Sequence, residues 1–162
     1  MIFLSLWFVA GQLCAAVSDA VTLRIPNALI LYLLAGYAAT AALTGPGWAD
    51  LAASAAVGIA ILAGGALLFA RGWMGGGDVK LLAVTALWLE PAAMPAFLLL
   101  TAMAGGLLTL ALVICRALGA HRLAGDRFAA LRAPMDRVPY GIAIAAAAIA
   151  VAFLRPGALL TG

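Results

Sequence analysis

Two carboxylates stand where a very apolar chain has least use for charge. Asp78 follows directly on Gly75, Gly76 and Gly77 and opens a long apolar stretch. A carboxylate is costly in lipid, so an acid at the start of a membrane helix reads as functional. The glycines let backbone and partner helices come close, and they open dihedrals that other residues avoid. Asp19 closes the first apolar stretch. Counting back by sevens, Gln12 and Ser5 share its helix face, a polar stripe that belongs in the bundle interior rather than against lipid. Taken alone, Asp19 also reads as an interfacial acid paired with Arg24. Two carboxylates at one depth that share a proton can activate water for peptide cleavage, one as base and one as acid.

The elements that must position these acids follow from composition. The chain has 162 residues, 67% hydrophobic and 9% charged, with mean hydropathy +1.19. Soluble domains are about a quarter charged, so this reads as an all-α, polytopic membrane protein forming one domain over residues 1–162. The net charge of +3 does not point to nucleic acid, because five of the nine basic residues fall in one loop that membrane topology explains. The first stretch lacks the positive start and the cleavage site of a signal peptide and reads as a retained helix. Cys14 and Cys115 lie in apolar stretches without a CxxC pair and read as buried thiols.

A crossing takes roughly 20 apolar residues, and six candidates fit: residues 2–23, 28–43, 51–70, 79–89, 96–115 and 141–154. Gly45-Pro46-Gly47 is a turn. Residues 79–115 would rise about 55 Å as one helix, so Glu90-Pro91 and Pro95 divide them in two. The fourth helix is then short, about 16 Å, and must start below the membrane surface or continue toward Pro95. Eight of the nine basic residues fall in the loops after the first, third and fifth helices. These loops therefore face the cytoplasm, with both termini outside. Asp19 and Asp78 then share the cytoplasmic end of the bundle.

Asp78 begins its helix, where the dipole favours negative charge, and Asp19 ends its own, where the dipole disfavours it. This contrast favours Asp78 as the base and Asp19 as the proton carrier, an assignment that Arg24 would reverse if it reached Asp19. Pro26 keeps Ile25 extended and Asn27 caps the second helix. Lys80, two residues past Asp78, lies on the other helix face and snorkels to the headgroups. Gly58, Gly64, Gly65, Gly105 and Gly106 allow close helix packing. His121 has no carboxylate or cysteine cluster beside it, and neither a metal nor a cofactor is expected. Asp126 and Asp136 read as solvated among arginines. The basic loop rests on anionic lipid.

Asp19 with Arg24-Ile25-Pro26-Asn27, then Gly75-Gly76-Gly77-Asp78-Val79-Lys80, then Pro139-Tyr140-Gly141, resembles the type IV prepilin peptidases, membrane aspartyl proteases of the Gly-x-Gly-Asp type. The resemblance implies that Asp19 and Asp78 are the catalytic pair. It implies that Gly75, Gly76, Gly77, Lys80, Arg24, Pro26, Asn27, Pro139, Tyr140 and Gly141 build the site around them. It further implies an inner-membrane enzyme that removes the leader of prepilins at the cytoplasmic face, after a glycine preceding the apolar pilin helix. The chain lacks the cysteine-paired region of the larger bacterial members and resembles the short form found with tight-adherence (Flp-type) pili, so no methyltransferase activity is expected. Archaeal preflagellin peptidases are a second short relative. A non-catalytic assembly or transport protein is the rival from another class, but a transporter more often has acids near the midplane and repeated halves.

Overall fold

The structure is a computed structural model that describes residues 2–118, 138–155 and 158–159. It is all-helical among these residues, apart from one isolated bridge between Leu89 and Leu159. Six α-helices follow in order: α1 (Ile2–Thr22), α2 (Asn27–Thr44), α3 (Trp48–Ala70), α4 (Gly76–Trp88), α5 (Met94–Ala117) and α6 (Tyr140–Leu154), with a 3-10 turn at Pro91–Ala93. Four stretches are long and apolar enough to cross a membrane: Phe3–Thr22, Asn27–Thr44, Trp48–Ala70 and Pro91–Ala117. Of the six expected spans, four are long enough among the described residues; α4 has 13 residues and α6 has 15.

The short α4 is at the centre. It packs against α2, α3 and α6, while α6 also packs against α1 and α5. Its residues from Asp78 to Trp88 are all buried except Lys80 and Leu87. A helix enclosed by protein need not match the hydrocarbon thickness, which explains its rise of only about 20 Å. Trp88, 1% exposed, anchors its far end. The Trp88 indole N–H donates to the Leu33 carbonyl at 3.0 Å, and its ring packs on Phe8 and Tyr37.

The chain ends most helices by known local means. Gly45, at φ 62°, takes the left-handed position after α2 and donates to the Ala41 carbonyl. Gly72, at φ 72°, does the same after α3, where Trp73 N–H reaches back to Leu68. Both are glycine stops of the kind a residue with a Cβ resists. After α4 the chain turns at Glu90, whose N–H donates to Ala158 at 2.8 Å. Pro95 does not divide helices as the sequence suggested. It sits in the first turn of α5, where a missing N–H costs nothing.

The outer faces are apolar and unpartnered: Phe3, Val17, Leu31, Leu67, Leu107 and Phe153 are all more than half exposed. In water such a surface would aggregate; in a bilayer it meets lipid tails. This also corrects the reading of the thiols. Cys14 is exposed and Cys115 half-buried, and both are free. Helices in lipid turn apolar residues outward as readily as inward. Gly58, Gly65 and Gly105 do pack against neighbouring helices, but a Cβ on Gly64 or Gly106 would meet open space. His121, Asp126, Asp136 and the basic-loop residues Arg122, Arg127, Arg132 and Arg137 lie outside the described residues.

Candidate active site

α1 and α4 bring Asp19 and Asp78 to one open cleft of about 510 Å³, bounded by residue 19, residues 23–27 and residues 75–78. Both carboxylates are nearly buried, at 4% and 9% exposure, and each lies within reach of the other's charge. Like charges at close range resist simultaneous ionisation, which is what a proton-sharing pair requires.

Asp78 lies in the first turn of α4, three residues after the N-cap Gly75. The Gly75 N–H donates to the Asp78 carboxylate, one half of a capping box. The glycine run works through space rather than unusual dihedrals. Gly75 has ordinary extended backbone, Gly76 and Gly77 are already helical, and none of the three has positive φ. A Cβ on Gly75 would stand 2.6 Å from Asp78 Oδ2, and one on Gly77 would stand 3.2 Å from Ile25 Cβ.

Asp19 lies one turn inside the end of α1, and its partner comes from far along the chain. The Gly141 N–H donates to Asp19 Oδ2 at 2.7 Å. Gly141 opens α6 after the buried Pro139, and its missing side chain is required there. A Cβ would meet Asp19 Oδ2 at 2.8 Å and Ile25 Cδ1 at 2.9 Å. The Tyr140 ring packs against Gly105 of α5. Because Asp19 receives an N–H from the first turn of α6, both acids face helix N-termini. Asp19 also remains in the last turn of α1, so the N–H from α6 offsets the dipole contrast read from the sequence.

The connection between α1 and α2 holds the cleft together. Leu23 takes φ 53°, and this left-handed residue turns the chain back on itself. Ser18 Oγ and Thr22 Oγ1 donate to the Arg24 carbonyl at 2.8 and 3.2 Å. Ile25 is thereby buried between Gly77 and Gly141, touching the first turns of both α4 and α6. The sequence marked Ile25 only as part of a motif; its wedge position is a tertiary fact. The Arg24 side chain is exposed at the rim, and no ion pair joins it to Asp19 among the described residues. Asn27 is not the cap of α2. It is the first helical residue after Pro26, without a side-chain cap, and its Oδ1 accepts instead from Lys80 Nζ at 3.0 Å. Lys80 therefore ties the cleft's edge to α2 and is not simply extended to the headgroups.

The sequence model of the type IV leader peptidase family matches residues 4–110. The chain belongs to that family. No curated protein and no solved structure matches it. The family match takes in α1 to α4 with both acids and the glycine run, and ends inside α5. The Gly141 contact on Asp19 lies beyond it and rests on the structure. As a member of the leader peptidase family the protein is a membrane peptidase, and the cleft between α1 and α4 is its candidate active site. Among the described residues no group of three or more metal-ligating side chains occurs.

Proposed function

We propose that the protein is an aspartyl endopeptidase that cuts the leader from prepilin-like proteins at the cytoplasmic face of the inner membrane. The observation that carries this reading is that two nearly buried carboxylates, remote in sequence, line one cleft at helix ends. Water in the cleft gives a proton to the ionised member of the pair and attacks the scissile carbonyl. The protonated member donates to the carbonyl oxygen as it gains charge. Collapse of the tetrahedral adduct then passes a proton to the leaving amine and restores the pair. The proton belongs to the pair rather than to either acid. The glycines let Asp78 and Ile25 close in to form the cleft wall, and the apolar outer faces suit a substrate whose cleavage site adjoins a membrane helix.

The orientation rests on the basic residues flanking the helices. The eight-to-one skew in the sequence supports a cytoplasmic acid end of the bundle, the side on which prepilin leaders lie.

Asp19→Asn and Asp78→Asn should each abolish leader cleavage while the protein still inserts and melts as the parent does. A pair acting as a unit loses its function with either member. A prepilin carrying glycine before an apolar helix, co-expressed with each variant, reports cleavage as a gel shift. Substantial processing by either variant would remove the pair from the chemistry.

A further inference from the structure

On the helix faces that carry the acids, Gln12 and Thr85 are the next polar residues behind them, and they meet. Gln12 precedes Asp19 by seven residues on α1, and Thr85 follows Asp78 by seven on α4. Seven residues make almost two full turns, so each lies on the same helix face as its acid, about 10.5 Å further along. Both are completely buried. Gln12 Nε2 donates to Thr85 Oγ1 at 2.7 Å. The two helices therefore run antiparallel, with their acids at one end and this hydrogen bond two turns deeper, while α2 and α6 pack against both. The residues between the two levels on these helix faces, such as Ala15 and Leu81, are apolar and buried. They have no directional bond to set the distance between the helices.

The amide is there at a cost. Gln12 Oε1 is buried without a hydrogen-bond partner, and an apolar residue of similar size would avoid that penalty. A hydrogen bond in such a dry setting is strong and directional. It holds two helices whose ends carry mutually repelling acids. We propose that Gln12 and Thr85 are positioning residues that set the separation of Asp19 and Asp78, an inference that rests on the reading of those acids as the catalytic pair.

The test uses the full chain purified in detergent and a prepilin-like peptide with glycine before an apolar helix. Thr85→Val keeps the shape and removes the hydroxyl. Gln12→Met keeps the volume and removes the amide. Each should lower kcat by about ten- to a hundredfold, the scale of a small misplacement of catalytic groups, with KM unchanged and the pH profile altered. The double variant should be no worse than either single one, because both delete the same bond. Thr85→Ser, which restores the hydroxyl, should recover kcat. The melting temperature of the double variant should match or exceed the parent's, since the unpartnered oxygen is gone.

Parent kcat and pH profile in a folded Thr85→Val would overturn the proposal. So would a loss in Thr85→Val that Thr85→Ser does not restore. Asp19→Asn and Asp78→Asn run in parallel. If both are inactive while Thr85→Val is normal, the positioning role alone falls. If either still cleaves, the catalytic reading falls and takes the positioning role with it.

Discussion

Gly141 shows how one missing side chain can matter as much as a present one. Its N–H donates to Asp19, and the space where a Cβ would sit is already taken by that carboxylate and by Ile25. Gly141→Ala should push α6 away from α1 and cut leader cleavage by about ten- to a hundredfold. Because the disturbance is local, the melting temperature should fall only modestly. Unchanged kcat in this variant would mean the N–H on Asp19 has no part in catalysis. Leu23 illustrates the opposite economy. A left-handed backbone disfavours a residue with a Cβ by about 1–2 kcal/mol, an amount partly offset by glycine's greater entropy loss on folding. Leu23→Gly should therefore hold or raise stability, by up to about 1 kcal/mol. A clear fall in melting temperature would show that the Leu23 side chain contributes packing beyond its role in the turn.

At the scale of the element, α4 decides the architecture. It is short because it is enclosed, and it is enclosed because small residues on α3 let it approach. Two adjacent glycines on α3 separate this cause from mere composition. A Cβ on Gly65 would stand 2.6, 3.1 and 3.3 Å from three atoms of Val79, including its own Cβ, so rotating the valine does not relieve the clash. A Cβ on Gly64 would meet nothing within 4 Å. Gly65→Ala should lower stability by about 1–3 kcal/mol as overpacking does, and should impair cleavage because Val79 follows Asp78. Gly64→Ala should be neutral or slightly stabilising. Thermal melting of the two variants side by side decides this. Equal effects would mean that α4 does not sit against α3 as described.

For the molecule as a whole, the decisive question is which end faces the cytoplasm. Residues 23–27 and 75–78 line the same cleft, so one measurement orients both acids. In a Cys14→Ser, Cys115→Ser background, Arg24→Cys should react with a membrane-impermeant thiol reagent only from the cytoplasmic side. Pro46→Cys, in the turn between α2 and α3, should react only from outside. Labelling of position 24 from outside would invert the molecule and remove the prepilin leader from reach of the acids.

Much of this was legible in the residues. Hydropathy located the six α-helices of the described residues to within a few positions, because apolar length is a property of each segment alone. Asp19 and Asp78 stood out because charge is expensive in lipid, whatever surrounds it. The chain's periodicity also put Gln12 on the face of Asp19. Other features required the third dimension. Nothing local says that Gly141 donates to an acid 122 residues earlier, that Ile25 lies between two helix starts, or that Lys80 bonds Asn27 across 53 residues. Nor could the sequence say that α4 is the enclosed helix and Cys14 an outward one. In water, an apolar stripe marks the buried face of a helix. In a bilayer both faces of a helix are apolar, since lipid tails are as apolar as a protein core. Hydropathy then reports that a segment is in the membrane and leaves open which side meets protein. That choice is made by shape and by the few polar groups that must find one another, and it exists only once the helices have packed.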